Sequence, residues 1–376
     1  MNPAQGLAPP QVSVLICTFH RTGLLFGLLE ALLEQVNAPT FETVVIDNDQ
    51  AGSAAVVAQN PRWRPLRIRY EIERRRGISN ARNHGVELAV GQWIAMIDDD
   101  ERPDPDWLAQ LMRSQQAHQA DVVFGPIIPY ISADAPQWLF RGRFLERNRH
   151  PTGTPVPNSE LRCGNLLMKR SLLDTGVRFD VRFSITGGED VMFFRSLRSP
   201  NTRYIWCDEA IVREFQPEPR YQVEWVLKRA FNGGQNFAEQ ERSIELHGPV
   251  GRYWATSRMT IKAIAQLLVA TPLFLLLSPL WLLPGQRHIA VSALCKVYSQ
   301  LGKLSAFTPH RAKTYGGAPE VLSVRGKRIS DVPEDPDLRD RRRSPRWPTD
   351  SETDRRAKDR GKNAPTARET DDHNPR

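Results

Sequence analysis

The sequence predicts an α/β protein whose sheet is mostly parallel and is flanked by helices. Short apolar, β-branched segments such as residues 12–18 and 93–97 alternate with stretches whose leucines recur at helical spacing. Strands that alternate with helices form parallel sheets, because each chain return to the sheet runs through a helix. The 376 residues, 40% apolar and 25% charged, suffice for one large domain or two ordinary ones and exclude a fibrous or wholly disordered chain.

The predicted elements follow in order along the first 240 residues. Residues 12–18 are the first strand, and the leucines from Leu24 onward predict the helix after it. Further strands are predicted at residues 43–46, 66–72, 93–97, 121–124, 166–168 and 203–207. The other predicted helices run from a cap at Ser79 to about residue 90, from near Asp106, over 189–197, and from 221 to about 240 with an interruption at Gly233-Gly234.

Residues 263–283 are almost continuously apolar, and their number is close to the roughly 20 residues that a helix needs to cross a bilayer. A second, amphipathic stretch covers residues 289–304. If the first segment alone crossed the membrane, the Arg-rich tail would lie outside, which the positive-inside tendency disfavours. We therefore expect a hairpin, re-entrant or in-plane attachment that keeps both ends cytoplasmic, with a buried helical appendage as the alternative.

These patterns divide the chain into three parts. Residues 11–245 are the main α/β domain, and residues 246–310 are a helical, membrane-associated region. Residues 320–376 are rich in Arg, Asp, Glu and Pro with few large apolar side chains, so we expect a disordered, charged tail. No basic, apolar leader precedes the first strand, which favours a cytoplasmic location for the main domain.

Two acidic clusters, Asp47-Asn48-Asp49 and Asp98-Asp99-Asp100, follow predicted strands. The carboxyl ends of parallel strands meet at one crevice, where ligands bind, although Asp and Asn are also common in solvated turns. Asp98 and Asp100 suit Mn²⁺ or Mg²⁺, which takes few carboxylates and completes its coordination with phosphates and water. Asp47 could accept hydrogen bonds from a base or ribose. The pattern therefore indicates a site for a nucleoside diphosphate.

Basic and acidic side chains near these strand ends indicate further chemistry. Residues 74–83 contain four arginines, and Arg82 falls in the first turn of a predicted helix, where it could bind phosphate or neutralise the aspartates as a structural ion pair. Glu189-Asp190 follows two glycines at another helix start. A carboxylate there could remove a proton from a sugar hydroxyl, or it could simply stabilise the helix dipole. The net charge of +8 also favours phosphate-bearing partners.

In this order the motifs resemble the family 2 glycosyltransferases of GT-A fold. The resemblance covers about residues 11–240 and is carried by VSVLICTFHR, TVVIDNDQ, GISNARNHGVELAVGQWIAMIDDDERPDPDWL and CGNLLMKRSLLDTGVRFDVRFSITGGEDVMFFRSL. The IDDDE-x-P, GGED and LKRAFNGGQ forms are similar to bacterial exopolysaccharide enzymes of the succinoglycan glucosyltransferase type. The resemblance implies a nucleotide-sugar donor, expected to be a UDP-sugar, a divalent metal and inversion at the anomeric carbon.

The resemblance also implies a role for each matching residue. The nucleotide-sugar site would comprise Thr18, Asp47, Arg82, Asn83, Asp98 and Asp99. Within it, Asp47 and the backbone near Thr18 would contact the nucleobase, and Arg82 and Asn83 would support the pyrophosphate. Asp98 would face the ribose or metal-bound water, and Asp98 and Asp100 would hold the metal. Asp190 would be the catalytic base, with Glu189 beside it recognising the acceptor.

Two departures from the family pattern change these expectations. Many relatives carry a histidine shortly after the last strand, whereas residues 212–216 read VREFQ. A third metal contact would therefore need Glu214 in its place. Residues 225–229 do not reproduce the Q-x-x-R-W signature of processive synthases, so we expect transfer of one sugar per acceptor.

The resulting hypothesis is an inverting, metal-dependent glycosyltransferase at the cytoplasmic face of the inner membrane. Its acceptor would be an exopolysaccharide or surface glycan, expected to be lipid-linked, with residues 127–161 as an acceptor-side loop and no nucleic-acid partner. One alternative is a non-catalytic nucleotide-sugar-binding scaffold at the membrane, which would not require all three acidic clusters. Another is a nucleotidyltransferase, but residues 17–21 lack its Gly-rich, Lys-containing loop.

Overall fold

The computed structural model describes residues 9–243, 248–283 and 285–306. The strands are β1 Val12–Thr18, β2 Phe41–Asp47, β3 Ile68–Ile72, β4 Trp93–Met96, β5 Glu101–Pro103, β6 Val122–Phe124, β7 Ile127–Tyr130, β8 Leu166–Lys169, β9 Tyr204–Trp206 and β10 Val212–Phe215. The helices are α1 Thr22–Leu33, α2 Ala55–Ala58, α3 Ile78–Leu88, α4 Trp107–His118, α5 Gln137–Gly142, α6 Glu189–Leu197, α7 Val223–Ser243, α8 Gly248–Leu277 and α9 Arg287–Ser305. The charged tail predicted at residues 320–376 lies outside the described residues.

A seven-stranded sheet in the order β3-β2-β1-β4-β8-β6-β9 forms the centre of the fold. Four of its six strand pairs are parallel, and β8 runs antiparallel to both of its neighbours. The apolar run of β1 buries side chains on both faces, because Val14 packs into one core layer and Leu15 into the other. The predicted α/β class with a mostly parallel sheet is confirmed.

A second, three-stranded sheet in the order β5-β10-β7 was not predicted. Its strand β5 contains Pro103 and pairs antiparallel with β10. These strands are three or four residues long and carry charged side chains, so their sequences show neither a long apolar run nor alternation. Because β5 directly follows Asp100, the small sheet fixes the end of the second acidic cluster.

The helix α3 begins differently from the prediction. Gly77, not Ser79, is its N-cap residue, and the Ser79 hydroxyl donates a hydrogen bond to the Asp180 carbonyl oxygen at 3.0 Å. Gly77 has a φ of 122°, and a Cβ at this position would lie 2.5 Å from the Ser184 Cβ. Only glycine avoids both the backbone strain and this contact, so the prediction of a Ser79 cap is wrong.

The helix α7 is continuous through the two glycines that were expected to interrupt it. Gly234 instead lets α7 approach α9, because a Cβ at this position would lie 2.1 Å from the Ser299 carbonyl oxygen. Gly302 of α9 makes the reciprocal contact, with Phe231 of α7. The glycines therefore allow two helix backbones to pack closely, and the predicted interruption is wrong.

We expect alanine at the two adjacent glycines to have opposite effects on the free energy of unfolding. Gly234→Ala should lower it by about 1–3 kcal/mol, because the new methyl group overpacks the contact with α9. Gly233→Ala should raise it by up to about 1 kcal/mol, because its Cβ would meet no atom within 4 Å and alanine favours the helix. Chemical denaturation of both variants measures the difference, and equal effects would contradict the observed packing.

The helix α8 exposes its apolar side chains. Leu268 and Leu276 are 71% and 75% exposed, and only 11% of the most apolar stretch is buried. Among the described residues, Tyr253–Leu282 is the one helical stretch long and apolar enough to cross a membrane. A helix from the core of a soluble protein would bury such residues, so the structure does not match the buried-appendage alternative.

Candidate active site

The candidate site lies at the carboxyl ends of β2, β1 and β4, which are neighbours in the central sheet. Thr18 and Asp47 are register partners at the ends of β1 and β2. The Thr18 hydroxyl donates a hydrogen bond to Asp99 Oδ2 at 2.8 Å, beyond the end of β4. The two acidic clusters therefore meet at one edge of the sheet.

Asp47 is fully buried and holds the loop after β2. Its carboxylate accepts hydrogen bonds from the backbone N–H of Asp49 and Ala54, at 3.0 and 2.8 Å, and from the Tyr70 hydroxyl at 2.9 Å. The Thr18 carbonyl oxygen accepts the Asn48 N–H at 2.9 Å. Both predicted base-binding groups are thus engaged within the protein in this structure.

The turn Asp98-Asp99-Asp100 presents one accessible and two buried carboxylates. The Asp98 side chain is 44% exposed, whereas Asp99 and Asp100 are buried. Arg21 Nη1 lies 3.0 Å from Asp99 Oδ1 and 3.2 Å from Asp100 Oδ2. Burial, reinforced by the neighbouring Asp99 charge, raises the pKa of Asp100 to about 7. Arg21 therefore does not fully offset the burial of this carboxyl group.

The small sheet positions this turn. The Phe215 N–H donates to the Asp100 carbonyl oxygen at 2.9 Å, and the buried Glu101 carboxylate accepts the Asp98 N–H at 2.9 Å. Glu101 stands opposite Glu214 in the β5–β10 pair. Burial raises the pKa of Glu101 well above its ordinary value. Glu101 thus orients the Asp98 backbone from inside the protein.

Arg82 connects this turn to the third acidic cluster. Its buried guanidinium lies 2.5 Å from Glu189 Oε1 through Nη1 and 3.4 Å from Asp98 Oδ1 through Nη2. The structural ion pair considered from the sequence is present, and it extends to Glu189. One side chain of α3 therefore links the end of β4 with the start of α6.

Asn83 positions the chain that leads to α6. Its amide group pairs with the backbone of Phe179, accepting from the N–H at 2.8 Å and donating to the carbonyl oxygen at 2.9 Å. Both polar atoms of the Asn83 side chain are engaged in this pairing. Asn83 thus holds the segment before Glu189 in place.

Glu189 and Asp190 differ in exposure. Glu189 is 1% exposed, and its second oxygen has no hydrogen-bond partner in the described part of the chain. Burial raises the pKa of Glu189 to about 7. Asp190 is partly exposed, and its Oδ1 accepts the Val191 N–H at 2.7 Å. Burial also raises the pKa of Asp190, while the charges of Arg82 and Arg162 lower it.

The side chains at the acidic turn include possible ligands for a divalent metal ion. Among the residues that the structure describes, no three His, Cys, Asp or Glu side chains are grouped to hold an ion. Glu214, considered as a third ligand, lies 3.1 Å from Arg147 and 2.9 Å from Arg220. The accessible Asp98 carboxylate and the incompletely neutralised Asp100 fit a cation that takes its other ligands from substrate and water.

Several side chains around the site were missed by sequence analysis. They are Arg21, Arg147, Arg162, Glu101, Arg220 and Arg229. Glu101 directly follows the second acidic cluster, whereas each of the others is an isolated charged residue that reaches the site only through the fold. The one feature of the sequence that could have indicated Arg21 is its position shortly after β1.

Comparison with known proteins places this geometry in a family. Residues 13–175 match the family described as "Glycosyl transferase family 2". The succinoglycan biosynthesis protein ExoM of Rhizobium meliloti is 32% identical over 234 residues, which are 60% of this chain and 73% of that protein. The chain belongs to glycosyl transferase family 2.

Two further known proteins are similar to this glycosyltransferase, one in sequence and one in structure. Glucosyl-dolichyl phosphate glucuronosyltransferase of Haloferax volcanii is 25% identical over 243 residues, 59% of this chain and 74% of that protein. The mannosyltransferase PcManGT from Pyrobaculum calidifontis, solved with GDP-Man and Mn²⁺, aligns with a TM-score of 0.53 and 20% identity over 79% of this chain and 89% of that one. The predicted family, the GT-A fold and the class of hexosyltransferase enzyme are confirmed.

Proposed function

We propose that this glycosyltransferase moves one sugar, with inversion, from a UDP-sugar to a lipid-linked glycan in exopolysaccharide or surface-glycan synthesis. The observation that carries the proposal is the Arg82 bridge. It connects the accessible Asp98 carboxylate with the start of α6, where Asp190 is partly exposed. A nucleotide-binding turn and a candidate base are thereby held at one crevice.

The donor would bind at the acidic turn. Asp98 and Asp100 would hold Mn²⁺ or Mg²⁺, which when bound neutralises negative charge on the leaving diphosphate. Arg21, already beside Asp99 and Asp100, would hold the buried carboxylates in position and oppose the rise in their pKa that burial causes. Thr18 would fix Asp99 through its hydrogen bond.

Asp190 would act as the general base. It takes the proton of the acceptor hydroxyl while that oxygen forms a bond to the anomeric carbon, and the bond from that carbon to the diphosphate oxygen breaks. One displacement inverts the anomeric configuration. Because Glu189 is buried and paired with Arg82, we assign it to holding Arg82, and not to the acceptor contact that the family resemblance implied.

Residues 11–245 would form the catalytic domain, and residues 246–310 would attach it to the cytoplasmic face of the inner membrane. The exposed apolar side chains of α8 support the attachment. The name of the Haloferax volcanii relative includes a dolichyl phosphate, which supports a lipid-linked acceptor. The basic tail favours an attachment that leaves both ends of the region on the same side.

We expect replacement of Leu268, Leu275 and Leu276 by asparagine to weaken binding to lipid vesicles at least 100-fold. Each exposed leucine would contribute about 1.5–3 kcal/mol when buried in lipid. Vesicle co-sedimentation measures the loss. The matched control replaces the exposed valines Val36, Val56 and Val90 of the catalytic domain by asparagine and should bind as wild type. Unchanged binding of the leucine variant would contradict the attachment through α8.

The proposed reaction is tested by release of nucleoside diphosphate from a panel of nucleotide sugars. The assay contains membrane lipid extract as acceptor and Mn²⁺, Mg²⁺ or EDTA. We expect release from one donor, its loss with EDTA, and its loss in Asp100→Asn. NMR of the product linkage tests inversion. Equal release with EDTA and with added metal would contradict the proposed metal dependence. Retention of configuration would contradict the single displacement.

A further inference from the structure

Four arginines from separate segments meet beside the candidate site, and we call them the arginine cluster: Arg147, Arg162, Arg220 and Arg229. Arg147 and Arg220 share the Glu214 carboxylate, at 3.1 and 2.9 Å. The guanidinium groups of Arg220 and Arg229 lie over the ring of Trp225, 5.6 and 5.4 Å from its centre. Ion pairing and a shared aromatic ring thus hold three of the four together.

The cluster carries more positive charge than its partners neutralise. Arg162 donates to the Glu160 carbonyl oxygen at 3.0 Å, and neither Arg162 nor Arg229 forms an ion pair with a carboxylate in the described residues. Desolvation and the charge of Arg147 lower the pKa of Arg162 to about 10. Four guanidinium charges face two carboxylates within ion-pair distance, Glu214 and Asp100, and a surplus of two positive charges remains. Repulsion among the remaining positive charges does not stabilise the fold.

The cluster lies between the candidate base and the acidic turn. The charge of Arg162 acts on Asp190, and Arg220 Nη2 is 3.8 Å from Asp100 Oδ2. Arg229 is exposed and Arg162 is partly exposed, so a ligand can reach both. Arg220 thus reaches the proposed donor-metal site, whereas Arg162 lies near the candidate base, where the acceptor hydroxyl has to bind. The Arg162 end of the cluster is therefore the end nearer the acceptor.

We propose that the arginine cluster binds a phosphate or diphosphate group of the acceptor. This inference deepens the proposed function and rests on it, because it states which acidic group the acceptor carries and which residues recognise it. Guanidinium groups bind phosphate oxygens through pairs of parallel hydrogen bonds. A diphosphate has enough negative charge to balance the surplus of two, whereas one sugar carboxylate does not.

The position of α7 agrees with a lipid phosphate. Arg229 lies in the first two turns of α7, and α7 packs against α8, whose apolar side chains are exposed. A phosphate bound at Arg229 would therefore be attached to a carrier whose apolar chain can follow α8. The donor diphosphate is the competing source of the same chemistry, so the test has to separate the two.

The test is calorimetric titration of the full chain with inorganic pyrophosphate, in the presence of Mn²⁺ and saturating UDP. We expect pyrophosphate to bind while UDP occupies the donor site. Arg162→Gln and Arg229→Gln should each weaken pyrophosphate binding about 10- to 100-fold and leave UDP affinity unchanged. Arg229→Lys should recover part of the binding. Arg113→Gln, at an exposed position of α4, is the matched control and should bind both ligands as wild type.

Three outcomes would overturn the inference. Pyrophosphate that does not bind beside UDP, or UDP affinity that falls together with pyrophosphate affinity, would assign the cluster to the donor. Unchanged pyrophosphate binding in both glutamine variants would leave the cluster a structural network, and we would then also expect a lower Tm. Because these are binding measurements, failure of sugar transfer would show separately, in the release assay.

Discussion

Asp190→Asn is expected to lower kcat for sugar transfer by about 10²- to 10⁴-fold, the contribution of a positioned general base. Asparagine has nearly the same shape, and its amide oxygen can still accept the Val191 N–H that Asp190 accepts at 2.7 Å. The start of α6 should therefore be preserved, and only proton acceptance should be lost. Steady-state kinetics with saturating donor and acceptor measure the change, and calorimetry should show unchanged UDP binding.

The control for this variant is Asp174→Asn, which makes the same chemical change at an exposed position in the short helix Arg170–Thr175. Its kcat should equal that of wild type. The pH profile adds a second readout: burial raises the pKa of Asp190, so kcat should fall with falling pH before an ordinary aspartate would protonate. Normal turnover by Asp190→Asn would remove Asp190 from the base role.

Arg82→Gln is expected to lower the free energy of unfolding by an amount that grows with pH. Burial raises the pKa of Glu189 from 4.5 to about 7, so the folded state already loses stability as pH rises between these values. The Arg82 charge opposes this rise, and its removal should raise the pKa of Glu189 further. Above pH 7 the free energy of unfolding of the variant should therefore fall further below that of wild type, by about 1 kcal/mol for each pH unit. The loss should approach the roughly 3–5 kcal/mol of a broken buried ion pair.

Chemical denaturation of Arg82→Gln at pH 6 and pH 9 measures this difference. At pH 6 Glu189 is mostly neutral in both proteins, so the effect should be smaller. The double variant Arg82→Gln/Glu189→Gln lacks both charges and should lose the added pH dependence. An effect of equal size at the two pH values would show that the Glu189 charge does not determine it.

The parts of the site that could be predicted from the sequence are those next to buried strands. The apolar segments of β1 and β4 are recognisable because a central parallel strand buries both faces. Each predicted strand end then fixes the position of the polar residue that follows it. For this reason Thr18, Asp47 and Asp98 lie at one edge of the sheet, as expected.

The contacts between distant segments could not be predicted. Arg21 and Asp99 are 78 residues apart, and Arg82 and Glu189 are 107 apart, yet each pair is in direct contact. A single charged residue has no local pattern that indicates its partner. The two adjacent glycines of α7 also look identical in the sequence. Gly233 has empty space beside it, whereas Gly234 lies against the backbone of α9.

The close packing of α7 on α9 constrains how a form of this enzyme without the apolar α8 can be made. Ending the chain after α7 would remove the apolar α8, but it would also strip away the surface that Gly234 packs against. An internal deletion of α8 that rejoins α7 to α9 through a flexible linker would keep that surface. For crystallisation or screening, the better design is therefore an excision of α8, not a truncation.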